Sequence, residues 1–312
     1  MNTYIATLAS TVLLLSTAGI AAAQELPVNN VRIIVPGGAG GGNDTATRIF
    51  ADALKRVTGT NTIVTNQTAG GGVIAMQSMQ TARADGSTLM VGHGKLHTQQ
   101  IGGNTPLGFQ DMTALGTISE INTAYAARSD APYHTLAELV TYAKDHPNEI
   151  VMATESSGTS QVMGEALDRA TGGNLRLVDF GSTSKRIPAL IGNQAQVSMI
   201  PTGNLKQYVS SGDLKALAVL NDAEVPELPG VSTAKSQGVE ISFPLVITLY
   251  GPPDMSTDTI EDFATAIAAV QQDAAFQDAI GKIGQNPVSK TPEETQVFLQ
   301  AEYDFIERLS PK

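Results

Sequence analysis

The chain of 312 residues is long enough for two domains of ordinary size. Its 42% hydrophobic and 16% charged residues are typical of a globular protein. A net charge of −11 argues against binding to nucleic acids or to anionic membranes. The lack of cysteine excludes disulfides, thiol catalysis and cysteine-ligated metals, and the lack of tryptophan disfavours stacking platforms for bases or sugars.

An apolar stretch at residues 5–15 is followed by Ala21, Ala22 and Ala23, which form an A-x-A cleavage site. No Lys or Arg precedes this stretch, which departs from the usual signal-peptide pattern. A membrane anchor is the alternative, but a span needs about 20 apolar residues. We therefore predict a cleaved signal peptide over residues 1–23 and export to the periplasm. A chain without cysteine is compatible with this compartment, where disulfides are possible but not required.

The next segments alternate between strands, glycine loops and helices. Residues 31–35 predict a strand that ends at Pro36, and the glycine-rich segment 37–43 follows. Apolar residues then recur at helical spacing, which predicts a helix that Asn43 caps and Gly59 ends. Further strands are predicted at 62–65, 87–91, 150–153, 175–179, 196–200 and 214–220, and further helices at 73–84, 160–171, 258–270 and 293–309.

Capping signals support two of the helices. Thr135 with Glu138 and Thr291 with Glu294 predict capping boxes, and Pro292 takes the first position of the last helix. Strands that alternate with helices predict an α/β fold with mostly parallel sheets. In such sheets ligands bind at the carboxyl ends of the strands, beside the first turns of helices.

The glycine loop is the first candidate site. Glycines bring backbone N–H groups close to a ligand, and the helix that follows has a partial positive charge at its start, so Gly40, Gly41 and Gly42 predict an anion site. The spacing fits neither G-x-G-x-x-G nor the P-loop, which disfavours a nucleotide. A merely flexible turn is the alternative. Asp44 is a possible catalytic residue, but it is better interpreted as a brace for the loop or helix.

Two loops rich in hydroxyl groups are further candidates. Neutral donors could hold a carboxylate at Ser156, Ser157, Gly158, Thr159 and Ser160. Ordinary helix capping is one alternative, and a nucleophilic serine is another, although no G-x-S-x-G motif surrounds these residues.

The next loop contains Ser182 and Thr183 and leads through Lys185 and Arg186 into a helix predicted to open near Pro188. The two adjacent cations either face a ligand or form a solvated surface pair. Both interpretations stay open at the level of the sequence.

His93 and His97 are four residues apart and could share a helical face as metal ligands. The segment lacks the Glu of the H-E-x-x-H motif, and Gly94 weakens a helix, so a hydrogen-bonding role in a loop is favoured over a metal site. We expect no metal and no cofactor.

The ordered motifs resemble a known family. A strand at 31–36 leads to Gly-Gly-Gly-Asn-Asp at 40–44 and then Arg48, and the later matching segments are Asn66 with 69–72, 85–89, His97, 157–160, 214–219 and 225–231. This set, which spans nearly all of residues 28–309, resembles the substrate-binding proteins of tripartite tricarboxylate transporters, the Bug family.

The resemblance implies a type II periplasmic-binding-protein fold, with two α/β lobes that close on a ligand. One lobe is expected from residues 24–122 plus 222–312 and the other from 123–221, with residues 1–23 as the signal peptide. Members of the family mostly bind small carboxylates through backbone amides and deliver them to membrane permease subunits. The implied ligand-binding residues are Gly40, Gly41, Gly42, Asn43, Asp44, His97, Ser156, Ser157, Gly158, Thr159, Ser160, Ser182, Thr183, Lys185, Arg186, Pro201 and Thr202.

Four departures from the family pattern bear on the ligand. Gly37 stands where relatives often carry Phe, the pair 185–186 replaces a common Pro-Ala, the pair 201–202 replaces Asp-Ser, and the pair 246–247 replaces frequent aromatic residues. Fewer aromatics and two added cations favour an aliphatic di- or tricarboxylate over an aromatic acid, with Lys185 or Arg186 near a second carboxylate.

The sequence therefore predicts a monomeric periplasmic solute-binding protein without catalytic activity. A ligand sensor that signals to a membrane partner is the alternative, because ligand capture has the same sequence features in both. A serine hydrolase that uses Ser157 or Ser160 is the third interpretation.

Overall fold

Apolar runs that alternate with glycine-rich turns build two β-sheets within residues 25–310, the part of the chain that the computed structural model describes. The predicted signal peptide at 1–23 lies outside these residues. Within the described range, every helix is too short or too polar to cross a membrane.

The strands are β1 (Asn30–Val35), β2 (Asn61–Asn66), β3 (Thr88–Gly92), β4 (Thr113–Ile121), β5 (Thr123–Arg128), β6 (Ile150–Thr154), β7 (Leu175–Asp179), β8 (Val197–Pro201), β9 (Leu214–Val219), β10 (Leu245–Gly251) and β11 (Asn286–Pro287). The α-helices are α1 (Gly42–Thr58), α2 (Val73–Gln80), α3 (Lys95–Ile101), α4 (Leu136–Asp145), α5 (Thr159–Thr171), α6 (Thr183–Ile191), α7 (Thr202–Ser211), α8 (Thr257–Gln272), α9 (Ala274–Lys282) and α10 (Pro292–Leu309). The fold is therefore α/β, as the sequence predicts.

The first lobe contains a sheet in the order β11-β4-β10-β3-β1-β2, and the second contains a sheet in the order β7-β6-β8-β5-β9. Three neighbouring strands are parallel in each sheet, but β10, β11 and β5 run antiparallel to their neighbours. The prediction of mostly parallel sheets is therefore wrong. The reason is that β5 and β10 carry the chain into their sheets from the cleft between the lobes, whereas the parallel strands end there.

Several element boundaries also differ from the predictions. The helix after the second glycine loop ends at Gln80 instead of residue 84. The helix expected to open near Pro188 already begins at Thr183, and the proline lies inside it. The strands β4, β5, β10 and β11 and the helices α3, α7 and α9 were not predicted.

The capping predictions had mixed outcomes. Thr291 and Glu294 form the reciprocal capping box of α10, as predicted. At α4 only half of the box forms, because the Thr135 hydroxyl accepts from the N–H of Glu138 while the Glu138 carboxylate accepts from the N–H of His134. The predicted end of α1 at Gly59 is confirmed, since this glycine adopts the left-handed conformation with φ 75°.

Helices cover both faces of each sheet, so each lobe has apolar layers on either side. In the first lobe, Phe50, Phe263 and Phe276 are fully buried on one face, and Phe109 and Leu299 on the other. In the second lobe one layer lies beneath α4 and α5 and the other beneath α6 and α7. Both faces of each sheet are thereby covered, and the connecting loops are left at the ends of the strands.

Two crossing segments run side by side between the sheets. A single residue, Asn122, separates β4 from β5, and Leu220 donates its N–H to the carbonyl of Thr123 over 2.8 Å. The side chain of Asn221 donates to Glu120 over 2.7 Å and to Asn122 over 2.8 Å. The division of the chain into lobes at 122/123 and 221/222 stays a prediction.

The helix α10 also connects the lobes. Its Leu299 packs in the apolar core of the first sheet, whereas its Ile306 packs in a core of the second. Arg169 on α5 donates to the carbonyls of Arg308 and Leu309 over 2.8 and 2.6 Å. The second lobe therefore caps the last turn of α10, where unpaired carbonyls need donors.

Candidate functional site

The glycine loop connects β1 to α1 and leaves the first amides of that helix without partners. Gly40 has a φ of 75°, Gly41 is the N-cap without a side-chain cap, and the helix begins at Gly42. Within residues 25–310, no acceptor pairs with the N–H groups of Gly42, Asn43 or Asp44. The prediction that Asn43 caps this helix is wrong, because the helix starts one residue before it.

The buried carboxylate of Asp44 holds this loop in shape. One oxygen accepts from the N–H of Gly40 over 2.8 Å, and the other accepts from the side chain of Asn66 over 2.9 Å. Arg48 donates to the same carboxylate over 3.0 Å, and Asn66 also donates to the carbonyl of Gly37. The interpretation of Asp44 as a brace therefore fits the geometry, because both carboxylate oxygens accept hydrogen bonds from the protein itself.

These contacts also set the protonation of Asp44. Burial acts to raise its pKa, but the hydrogen bonds from Arg48, Gly40 and Asn66 outweigh burial and lower the pKa below its ordinary value. The carboxylate is therefore ionised wherever the protein is folded at neutral pH.

The serine loop follows β6 and precedes α5 in the second lobe. Gly158 is the N-cap without a side-chain cap, and no acceptor among the described residues pairs with the N–H groups of Thr159 and Ser160. Ser156 and Ser157 are exposed, and Ser157 has a φ of 55°. This helix start is therefore a second group of amides that an anion could use.

The hydroxyl of Ser160 serves the loop itself. It is buried and accepts from the N–H of Glu155 over 2.9 Å. Simple N-capping by Thr159 or Ser160 does not occur, because the helix already includes both residues.

The third loop follows β7 and precedes α6. Ser182 is the N-cap of α6 without a capping hydrogen bond, and the N–H groups of Thr183 and Ser184 have no acceptor within the described range. The helix starts at α1, α5 and α6 therefore follow β1, β6 and β7, three of the parallel strands whose carboxyl ends face the cleft.

The two adjacent cations have different environments. Lys185 is exposed, but only 4% of Arg186 is accessible. The interpretation of both as a solvated pair is wrong for Arg186, because α6 begins earlier than predicted and turns this side chain toward β8. Burial lowers the pKa of Arg186 to about 10, against the opposing effect of Glu155, so the guanidinium stays charged at neutral pH.

Pro201 and Thr202 lie where β8 runs into α7. The N–H of Thr202 donates to the carbonyl of Asn122 over 2.9 Å, and its buried hydroxyl lies 3.3 Å from the same oxygen. A Cβ atom on Gly203 would lie 2.9 Å from the Cα of Gly284, so the two lobes touch backbone to backbone here. The side chain of Thr202 is therefore committed to the crossing segment, and Pro201 is half-buried beside it.

His97 does not lie in a loop as predicted. It belongs to α3, is fully buried, and places its Nε2 2.9 Å from Oε2 of Glu302 on α10. Phe109 and Tyr303 pack edge-on against its ring. The expectation that His97 binds the ligand directly is at odds with this position, because its side chain reaches no open surface. Within residues 25–310, no group of three His, Asp or Glu side chains could hold a metal ion.

The sequence did not assign several residues that face the other lobe. The Nζ of Lys95 lies 3.0 Å from Oε1 of Glu155, and the hydroxyl of Thr98 donates to the carbonyl of Ser157 over 2.8 Å. His93 directly follows β3, and its Nδ1 lies 3.3 Å from the N–H of Lys95. The position of His93 at a strand end was the signal that could have found this group.

The environment of His93 favours its neutral form. Burial lowers the pKa of the imidazole to about 4, and the nearby ammonium of Lys95 acts in the same direction. A neutral ring can accept or donate a hydrogen bond at the cleft without adding charge.

The first loop also reaches the contact between the lobes. The buried Gln285 accepts from the hydroxyl of Ser119 over 2.7 Å and donates to the carbonyl of Gly42 over 3.3 Å. Since Gln285 adjoins Gly284, which touches Gly203, the start of α1 lies close to the start of α7.

Three surface depressions lie away from these loops. Two, of ≈ 410 and ≈ 270 Å³, are beside Tyr133 and Tyr142, and one of ≈ 470 Å³ is beside Val297 and Phe298. None of the three includes a predicted site residue, so the candidate site is defined by the loops at the strand ends.

A family model described as the tripartite tricarboxylate transporter family receptor, TctC, matches residues 46–309. The chain belongs to this family. The resemblance seen in the sequence is thereby confirmed, and members of the TctC family are periplasmic substrate-binding proteins rather than enzymes.

Known TctC relatives match nearly the whole chain. A UPF0065 protein of Bordetella pertussis is 26% identical over 306 residues, which is 97% of this chain and 94% of that protein. A TctC solute-binding protein from Polaromonas, solved without ligand, has a TM-score of 0.81 at 22% identity and covers 90% of this chain and 97% of its own.

Two solved structures from Rhodopseudomonas palustris contain ligands. MatC with bound malate has a TM-score of 0.75 at 22% identity and covers 91% of this chain and 99% of its own. A protein solved with adipate has a TM-score of 0.76 at 22% identity and covers 90% and 95% of the two chains. At this level of identity the likeness to the TctC structures shows the shared fold.

Proposed function

We propose that this chain is a periplasmic solute-binding protein that captures a small aliphatic di- or tricarboxylate between its lobes and delivers it to membrane permease subunits. The observation that carries the proposal is the set of unpaired amides at the starts of α1, α5 and α6, supplied by both lobes. Several convergent N–H donors can hold a carboxylate, because hydrogen bonds to a charged acceptor are stronger than those between neutral groups.

The overall charge of −11 does not prevent this binding. Donors in direct contact act over about 3 Å, whereas salt screens exposed charges beyond about 8–10 Å. The malate and adipate of the two related structures are both aliphatic dicarboxylates, which supports this class of ligand.

The proposed ligand contacts are mostly backbone groups. The N–H groups of Gly42 and Asn43 contribute from the first lobe, and those of Thr159, Ser160 and Thr183, with the hydroxyls of Ser156, Ser157 and Ser182, contribute from the second. The N–H groups of Gly40, Gly41 and Gly158 are already paired with Asp44, Gly38 and Glu155, so these glycines shape the two loops. Closure follows because a ligand that contacts both lobes favours the closed form. No catalytic step is needed, and the Ser160 hydroxyl is occupied by the amide of Glu155.

A thermal-shift screen of the mature protein tests this proposal. The panel contains aliphatic mono-, di- and tricarboxylates, with the matching sugars and amines as controls. A ligand at about 100 times its Kd adds about 2.7 kcal/mol to the free energy of unfolding. We expect at least one di- or tricarboxylate to raise the Tm while the controls do not. A panel of acids without any effect would contradict the proposal.

A further inference from the structure

Arg186 is a buried cation that has no carboxylate partner among residues 25–310. Its guanidinium donates to the carbonyl of Met199 over 2.7 Å, to the hydroxyl of Thr183 over 2.9 Å and to the hydroxyl of Ser198 over 3.3 Å. All three acceptors are neutral, and the buried Nε has no acceptor among the described residues. Burying an unpaired charge is costly, so a guanidinium in this state points to a function that needs it.

The guanidinium lies at the ligand end of the second sheet. Arg186 belongs to the second turn of α6, whose first amides are unpaired, and Met199 and Ser198 belong to β8 shortly before it ends at Pro201. Its position is therefore beneath the loops that form the wall of the cleft.

The one carboxylate of the described residues that acts on Arg186 is shared with a second cation. Glu155 is the carboxylate that acts on Arg186, but its Oε1 already lies 3.0 Å from the Nζ of Lys95. The carboxylate of Glu155 is thus shared by two cations, Lys95 and Arg186. On the first lobe's side, Asp44 and Arg48 form a neutral pair. Glu155 therefore compensates the positive charge of Arg186 only in part.

We propose that Arg186 makes the site selective for ligands with a second carboxylate, an inference that rests on the carboxylate-binding function proposed above. The amides at the helix starts suffice for one carboxylate. The second carboxylate is attracted by the charge of Arg186, which acts strongly because the surroundings are dry. Lys185 lacks this effect, since it is exposed and its charge is screened.

The test compares dicarboxylates with ligands that differ only in the second charge. Succinate, glutarate and adipate are titrated calorimetrically beside their half-amides, in which one carboxylate becomes a neutral amide of the same size. We expect the wild type to bind the best dicarboxylate about 10- to 100-fold more tightly than its half-amide, the range of a hydrogen bond to a charged group.

Two variants and one matched control test whether Arg186 causes the preference for dicarboxylates. Arg186→Gln is expected to reduce the preference to within about threefold, and Arg186→Lys, which keeps the charge, to retain most of it. Lys185→Gln removes the same formal charge from the neighbouring exposed position and is expected to leave the preference unchanged. An unchanged preference in Arg186→Gln overturns the inference.

Arg186→Gln leaves buried acceptors without donors, so a measurement on the wild type stands beside it. In the arginine Nε–H region of a ¹⁵N spectrum, the Arg186 signal is assigned by its loss in Arg186→Lys. A dicarboxylate should shift this signal, and its half-amide should not. A dicarboxylate that binds without moving the signal overturns the inference.

The outcomes separate this inference from the function on which it rests. If the wild type binds dicarboxylates and half-amides equally well, the carboxylate-binding function is supported but the role of Arg186 in selectivity is contradicted. If the wild type binds no carboxylate at all, both the carboxylate-binding function and the role of Arg186 are contradicted.

Discussion

At the scale of single residues, the site depends on side chains that shape the backbone rather than on side chains that touch the ligand. Asp44 receives hydrogen bonds from Gly40 and Asn66 and thereby fixes the loop before α1. Ser160 does the same for the loop before α5 by accepting from Glu155. The sequence allowed the role of Asp44 to be predicted because an acidic residue in a first helical turn has few other uses.

Replacing Asp44 by Ala should loosen the first loop. Gly40 and Asn66 lose a buried charged acceptor, and we expect about 2 kcal/mol less stability at pH 7, with the half-exposed Arg48 adding little. Urea unfolding measures the loss. Asp278→Ala, which breaks the exposed pair with Lys282, is the control and should change stability by less than about 0.5 kcal/mol.

The variant Asp44→Ala also tests how the stabilising effect of Asp44 depends on pH. Because the folded pKa of Asp44 lies below the unfolded value of 3.8, its contribution is complete above pH 3.8 and disappears as the pH falls through the folded pKa. The difference in stability between the wild type and Asp44→Ala should therefore shrink as the pH falls below 3.8. A difference that is constant with pH would show that the charge of Asp44 is not what stabilises the loop.

Replacing Gly158 by Val should block the second loop. A Cβ atom at this position would lie 3.0 Å from the carbonyl oxygen of Glu155, so the loop must shift and its amides turn away. We expect a loss of carboxylate affinity of about tenfold or more, with the fold retained. The control is Gly281→Val on α9, where no atom lies within 4 Å of the added Cβ. Equal affinities for the two variants would remove Gly158 from the site.

At the scale of elements, the sequence predicted the strand–loop–helix units well and the crossing strands poorly. Periodicity and glycines located β1, α1, β6 and α5, because these signals are local. The strands β4, β5 and β10 pair with strands that are distant in the sequence, which no local pattern reports. For the same reason the burial of Arg186 and His97 could not be predicted, because it follows from how α6 and α3 pack.

The contact between α3 and the serine loop offers a test of closure. Lys95 and Glu155 form a partly exposed pair between the lobes, which contributes up to about 1 kcal/mol to the closed form. Lys95→Met should therefore shift the ligand-free protein toward an open form by up to about fivefold in population. Small-angle X-ray scattering should show a larger radius of gyration than for the control Lys282→Met. An identical scattering profile for both variants would mean that this pair does not bias closure.

At the scale of the whole molecule, the two lobes are connected at several places that restrict how they move. Two adjacent crossing segments, the close approach of Gly203 to Gly284 and the helix α10 all join them. The resemblance to a family predicted the two-lobed architecture, whereas composition and periodicity alone predicted only an α/β fold. The placement of the unpaired amides on both lobes could not be predicted from the sequence, because it depends on where each helix begins in the structure.

A crystal structure of the mature protein with its tightest aliphatic dicarboxylate tests the central claim most directly. The account predicts one ligand carboxylate within about 2.7–3.2 Å of backbone N–H groups from both lobes, at the start of α1 and at the start of α5 or α6. A ligand bound elsewhere, or held in the cleft only by side chains while those amides point away from it, would contradict the account.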